Sequence, residues 1–165
     1  MLNNTYDGQT CSVARTLEVV GERWTFLILR DAFLGVRRFD DFQRSLGIAR
    51  NVLNTRLQRL VAAGLLERRR YQERPERYEY RLTAMGLDLW PGLVALMQWG
   101  DRWLAGEQGP PMEVEHRGCG GAVTPRRTCE TCGADLGPRD VRVVPGPGAS
   151  EDLRARLGDR APAQA

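Results

Sequence analysis

Ile48-Ala-Arg-Asn-Val-Leu-Asn-Thr-Arg-Leu-Gln-Arg-Leu-Val-Ala-Ala63, followed at once by Gly64, is the stretch whose reading decides the fold. Leu53, Leu57, Leu60 and Val61 recur at helical spacing and form one apolar face. Arg50, Asn51, Asn54, Thr55 and Gln58 fall on the opposite face, and all of them can hydrogen-bond. Gly64 stops the helix. A basic strand follows from Leu65 to Tyr71, then a turn over Gln72 to Arg77 and a second strand from Tyr78 to Leu82. Tyr78, Tyr80 and Leu82 alternate at period two, as a half-buried strand requires. Pro75 cannot donate to a ladder, so it keeps the tip a turn and blunts the edge. Arg74 and Arg77 flank it.

Upstream, Val13, Leu17, Val20 and Trp24 repeat along a first amphipathic helix over residues 11–21, which Gly21 can break. A second helix from about Thr25 to Leu34 carries Phe26, Leu27, Ile28, Leu29 and Phe33 on almost every side, so it belongs at the centre of the core, with Gly35 as its C-cap. Arg38-Phe39 can pair as a short strand. Asp40 or Asp41 is then expected to cap a third helix, with Phe42 and Leu46 facing inward. Gly47-Ile48 makes the turn into the quoted helix. Short helix, glycine turn and longer helix form the helix-turn-helix pattern. With the hairpin added, the expected fold is mainly α with a small β-hairpin wing, an α+β winged helix-turn-helix.

That architecture presents the polar face of the second helix to DNA. The planar fork of arginine matches guanine O6 and N7, and asparagine can pair both ways with adenine. Arg50, Asn51, Asn54, Thr55 and Gln58 are therefore the expected groove-facing set. Arg56 and Arg59 lie nearer the buried edge and suit phosphates or structural pairing, while Arg74 and Arg77 are placed for backbone or minor groove. The bland alternatives are a solvated helix face, which would ordinarily be richer in Glu and Lys, and a solubilising charged loop.

Charge supports the same stretch. The net charge of +3 over 165 residues identifies no partner, and all 24 basic residues are arginine, as a GC-rich coding sequence would give. Between Arg50 and Arg81, however, nine arginines stand against four glutamates, a local footprint for phosphate neutralisation. No run approaches the roughly 18 apolar residues of a membrane span. The N-terminal Met1-Leu-Asn-Asn-Thr-Tyr-Asp-Gly8 has neither a basic nor an apolar signal region, so a cytoplasmic protein is expected. No convergent set for catalysis and no Gly-rich phosphate loop is evident, so an enzyme is not expected.

Past Thr83, an expected helix cap, a long helix should reach about Leu104, kinked or restarted at Pro91. Leu89, Leu93, Leu96, Gly100 and Trp103 form a seam that Val94, Met97 and Trp99 broaden. A small domain has limited core to cover it, so it reads as a homodimer interface, with intramolecular packing as the alternative.

A small appendage over residues 112–144 holds His116-x2-Cys119 and, after nine residues, Cys129-x2-Cys132, with Gly120-Gly121 and Gly133 following the cysteines. Two such pairs supply four ligands for a zinc-ribbon-like, tetrahedral Cys3His structural zinc site. A metal-free hairpin with reduced thiols and a redox-labile site are the other readings. Cys11 begins the first helix, where a thiolate is favoured; plain packing is the alternative to a redox sensor. Residues 145–165, rich in Pro, Ala, Gly and charge, should be disordered, with a transient helix at Asp152 to Leu157.

Taken together, several of these pieces resemble the HxlR-type winged-helix transcription regulators of prokaryotes, cousins of the MarR type. They are Cys11 with the helix to Gly21-Glu-Arg-Trp24, Leu27-Ile-Leu-Arg30, Arg38-Phe39-Asp-Asp-Phe42, Ile48 to Leu57, Ala63-Gly-Leu-Leu66, the Pro75 wing, Tyr80-Arg-Leu-Thr83-Ala-Met-Gly86 and the helix ending near Trp99-Gly100. The resemblance covers about residues 9–105. It implies a homodimer on a palindromic operator, its two recognition helices roughly 34 Å apart, and in thiol-sensing members a responsive cysteine near the position of Cys11. The expected organisation is a DNA-binding and dimerisation domain over 1–105, the zinc-ribbon-like segment over 112–144 and the tail over 145–165. The expected function is a transcriptional regulator, taken as a repressor, open to a thiol or ligand signal. The competing class is a protein-interaction module with the winged helix as scaffold and the ribbon as docking element.

Overall fold

A computed structural model describes residue 6 and residues 11–158 of the chain. Its elements run α1 (Ser12–Val20), α2 (Thr25–Phe33), α3 (Phe39–Leu46), α4 (Arg50–Ala62), β1 (Leu66–Gln72), β2 (Arg77–Leu82), α5 (Ala84–Asp88), α6 (Trp90–Leu104) and α7 (Glu151–Gly158). They form two compact units that divide between Met97 and Gln98, within α6. The fold is thus mainly helical with one two-stranded antiparallel hairpin.

The core of the first unit is assembled from α2, α3 and α4. Ile28 and Leu29 on α2, Phe42 on α3, and Leu53 and Leu57 on α4 are fully buried, and Leu60 nearly so. Each such side chain stabilises the unit by roughly 1.5–3 kcal/mol. Leu53, Leu57 and Leu60 follow one another on a single stripe of α4, so their burial leaves one rotational setting for that helix. Ile48, in the connection between α3 and α4, is also buried. Gly47 before it ends α3 at φ +61°, a conformation that costs glycine little, and its N–H returns to the Gln43 carbonyl at 2.9 Å.

Several expectations needed correction here. Trp24 does not extend the stripe of α1: the helix ends at Val20, and Trp24 stands before α2 in the left-handed region, φ +80°. Such a conformation in a non-glycine residue costs on the order of 1–3 kcal/mol; the half-buried indole packs against the core, which offsets it. Leu27 is 40% exposed, so α2 is not buried on every side. Neither Asp40 nor Asp41 caps α3. Arg38 holds that position in extended conformation, its carbonyl accepting from the Asp41 and Phe42 N–H groups. The two aspartates lie in the first turn, where the helix dipole favours their charge.

The hairpin pairs Leu66 with Leu82 and Arg68 with Tyr80, with an irregularity between Arg70 and Gln72. Arg38 adds an isolated bridge to Glu79, and the Tyr80 N–H donates to the Arg37 carbonyl at 2.7 Å. The wing is therefore tied to the start of α3 as well as to the end of α4. Thr83 caps α5, its hydroxyl accepting from the Gly86 N–H at 3.1 Å and donating to the Gly64 carbonyl. The long helix expected after Thr83 is interrupted at Leu89 and restarts as α6 with Pro91 in its first turn, where a missing N–H does no harm.

In the second unit, residues 112–144 form two short turns closed by the bridges Glu115–Ala122 and Thr128–Asp135. The helix expected at Asp152 to Leu157 is α7. The end of the tail, 159–165, lies outside the described residues. No described helix is long and apolar enough to cross a membrane.

Gly86 is a packing requirement that can be tested. A Cβ there would stand 2.2 Å from the Leu65 carbonyl oxygen. Gly86→Ala is expected to destabilise the first unit by about 1–3 kcal/mol, measured as a lowered denaturant midpoint at unchanged slope. An unchanged midpoint would mean that α5 does not sit against Leu65.

Candidate nucleic-acid interface

Because Leu53, Leu57 and Leu60 face inward, α4 turns Asn51, Asn54, Thr55 and Gln58 outward, all exposed. Asn51, Asn54 and Gln58 succeed one another at three- and four-residue steps, a stripe along one side of the helix. Among the described residues no side-chain partner occupies their amides. Thr55 differs: its hydroxyl donates to the Asn51 carbonyl at 3.0 Å, back onto its own helix. The structure therefore brings the expected residues of α4 to one surface, with the amides free and the hydroxyl engaged.

Arg50 is exposed but held. Its guanidinium donates to Asp40 Oδ1 at 3.0 Å and Gln43 Oε1 at 2.9 Å, and it lies 4.8 Å from the Phe39 ring centroid. Both charged partners are largely in solvent, so this pair contributes about 0–1 kcal/mol and opens readily. Arg50 therefore links α3 to the start of α4 and can exchange Asp40 for another acceptor at little cost.

Arg56 and Arg59, outside the expected groove-facing set, are both engaged within the fold. Both donate to the carboxylate of Glu22, Arg59 at 2.9 Å. The Arg56 side chain is only 16% exposed, with its Nε buried and unpartnered, whereas that of Arg59 is 62% exposed. Together with Leu17 and Thr25, these residues line a cleft of about 920 Å³ between α1 and α4. Of the two roles expected for Arg56 and Arg59, phosphate contact or structural pairing, the fold contains a pairing; its partner, 34 and 37 residues away, left no local trace in the sequence.

The wing divides its arginines in the same way. Arg69 pairs with Glu67, Arg70 with Glu73 and Glu76, and Arg81 with Glu79. Arg38 lies over the Tyr71 ring at 4.7 Å and Arg68 over Tyr78 at 3.5 Å. Burial pushes the Tyr80 phenol up from its ordinary range, against a smaller downward pull from Arg68. Among the described residues Arg74 and Arg77, at the exposed tip, make no ion pair. They and the α4 amides are unengaged polar groups of this surface, while Arg38 and Arg68 extend it on aromatic platforms that spacing alone did not single out.

Cys11 is exposed and occupies the N-cap of α1, its carbonyl accepting from the Arg15 N–H at 3.1 Å. In the second unit His116 Nδ1 lies 3.2 Å from Cys119 Sγ. The Cys129 thiol is pushed below its ordinary range, first by the backbone N–H of Cys132 and then by that of Thr131. Among the described residues no three of His, Cys, Asp and Glu are grouped to hold a metal, so His116 with Cys119 and Cys129 with Cys132 stand as two separate pairs.

Comparison with known proteins agrees with this geometry. A family model described as HxlR-like helix-turn-helix matches residues 19–108. An uncharacterised HTH-type transcriptional regulator of Mycobacterium tuberculosis is 50% identical over 152 residues, 92% of this chain and 95% of its own length. A solved structure from Pseudomonas aeruginosa, described as a candidate transcription factor, is 46% identical with a TM-score of 0.64, covering 89% of this chain and 100% of that one. The redox regulator HypR in its reduced form is 31% identical with a TM-score of 0.53, covering 56% of this chain and 92% of its own. The first two relatives therefore resemble the chain beyond the stretch matched by the family model.

The Glu22 network gives a discriminating test. Glu22→Ala strands the mostly buried Arg56 guanidinium and is expected to cost about 1–3 kcal/mol, whereas Arg59→Ala, at the solvent edge, should cost under about 1 kcal/mol. Denaturant melts of the two variants would measure this. Equal losses would remove Arg56 as the anchored partner.

Proposed function

The chain belongs to the HxlR-like helix-turn-helix family, and from that premise we propose that it works as a homodimeric repressor reading a palindromic operator through α4 and the wing. That it is a transcriptional regulator with a helix-turn-helix DNA-binding domain follows from the family itself. The finer reading rests chiefly on one observation: Asn51, Asn54 and Gln58 project freely from the face of α4 opposite its buried leucines.

In this reading Asn51, Asn54 and Gln58 meet base edges in the major groove, and Arg50 exchanges Asp40 for a guanine or a phosphate. Thr55 offers its methyl group and Arg56 holds α4 in place through Glu22. Arg74 and Arg77 meet the sugar–phosphate backbone beside the helix. An α4 surface meant for protein docking would carry aromatic or leucine side chains; this one carries amides, a hydroxyl and a guanidinium.

Dimerisation is supported by α6. Its Leu96, Trp99, Trp103 and Leu104 are all more than half exposed, Trp99 at 58% and Trp103 at 67%. Two adjacent-turn tryptophans left in water are a large apolar surface for a regulator of this size, and a second copy would bury it. A thiol signal is supported by the exposure of Cys11 at the start of α1 and by the redox regulator among the similar structures.

Asn54→Ala is expected to weaken operator binding by about 1–3 kcal/mol and random-duplex binding far less; equal losses would exclude it as a base reader. Arg77→Ala should weaken both duplexes alike and lower the salt slope by about 1, and an unchanged slope would exclude the phosphate contact. The double variant Trp99→Glu, Trp103→Glu should sediment as monomer where the native chain is dimeric. A variant that stays dimeric would contradict α6 as the interface.

A further inference from the structure

The turns around the two Cys/His pairs are copies of one another, offset by 13 residues. The bridge Glu115–Ala122 becomes Thr128–Asp135. Inside it, the His116 N–H donates to the Gly121 carbonyl at 2.8 Å, and the Cys129 N–H to the Ala134 carbonyl at 2.9 Å. The N–H of Gly120 returns to the His116 carbonyl, and that of Gly133 to the Cys129 carbonyl, each at 2.8 Å. The outer rung repeats too, from Val123 N–H to the Val114 carbonyl at 3.2 Å and from Leu136 N–H to the Arg127 carbonyl at 2.7 Å. Both copies turn at a glycine with φ +70°, Gly120 and Gly133, directly after the second residue of each pair, Cys119 or Cys132. Only glycine adopts that conformation without strain.

A turn closed in this way places its first and fourth residues on the same side. In the first copy the closeness is direct, 3.2 Å from His116 Nδ1 to Cys119 Sγ. Each turn is thus a two-donor clip, and neither clip alone satisfies a tetrahedral metal. Beyond its backbone hydrogen bonds the segment is tied by polar contacts, such as Gln98 Nε2 donating to the Val123 carbonyl at 2.7 Å and the exposed Arg126–Asp135 pair. Among the described residues after Val94 none is buried, so no apolar core holds the two clips together. Chain segments of this size fold when a metal or a covalent link replaces the missing core.

From these observations we infer that the two clips close on one structural Zn(II), held by His116, Cys119, Cys129 and Cys132, and that this ion organises the segment around them. Three thiolates and a neutral imidazole are donors that suit zinc and exclude magnesium or calcium. Each of the three thiols releases its proton to solvent as the metal binds, while zinc keeps its oxidation state. A disulfide between Cys129 and Cys132 would join residues already in one turn and leave the other clip unconnected, so it would not supply the missing link. The site does not depend on how α4 reads DNA, and its tests are independent of operator binding.

The full chain, purified reduced and without chelator, should carry about one zinc by elemental analysis. Cys129→Ser should lose it, and Cys11→Ser, which leaves all four donors intact, should keep it. Since a serine variant could lose the metal through misfolding, cobalt titration of the stripped native chain provides a second measurement. It should develop thiolate-to-cobalt charge transfer and tetrahedral d–d bands that saturate at about one equivalent and vanish when zinc is added. Amide exchange at His116 and Cys129 should slow on zinc addition. A chain isolated without metal that also gives no tetrahedral cobalt spectrum overturns the proposal, as does full zinc retention by Cys129→Ser. So does a Cys129–Cys132 disulfide in the chain as isolated.

Discussion

The burial of Leu53, Leu57 and Leu60 against Ile28, Leu29 and Phe42 governs the orientation of everything else in the first unit. A helix in water can expose any face; one with three leucines in a close-packed core has a single rotational setting. Turning α4 by half a revolution would put Asn51, Asn54 and Gln58 into that core without partners, at about 1–3 kcal/mol for each unsatisfied group. The polar face thus points outward as a consequence of packing. The turn at Gly47 and buried Ile48 sets where α4 begins, and the hairpin continues directly from its end.

On that frame the arginines divide by what they face. Those beside glutamates are paired: Arg56 and Arg59 share the one carboxylate of Glu22, and Arg69, Arg70 and Arg81 pair within the wing. Among the described residues, the tip arginines Arg74 and Arg77 make no ion pair, and Arg38 and Arg68 lie over aromatic rings. Arg50 lies between the two groups, since its solvent-exposed pair with Asp40 is weak enough to exchange.

The elements with a strong period were legible from sequence. The leucines of α4 and the alternating Tyr78, Tyr80 and Leu82 gave helix, hairpin and facing surface, because burial imposes those periods directly. Pro91 likewise marked the restart of the long helix. Features that depend on contacts distant in sequence were not legible. Nothing near Trp24 signals a left-handed residue, because its strain is offset by core contacts made elsewhere. The partners of Arg50 lie across the Gly47 turn, and Glu22 is more than thirty residues from the arginines it holds. Asp40 and Asp41 looked like caps by residue type, yet backbone conformation gave that place to Arg38. The Cys/His spacing was visible as a pattern, whereas the matching hydrogen bonds of its two halves required coordinates.

The central claim is that the amides of α4 enter a DNA groove while the leucines behind them stay packed. The most direct measurement follows the side-chain amide resonances of Asn51, Asn54 and Gln58 by NMR as the identified operator is titrated into the chain. All three should shift or become protected together with backbone amides of the wing tip, while the core methyls of Leu53 and Leu57 hold their positions. Operator binding that leaves these amides unmoved and perturbs other surfaces instead would contradict it.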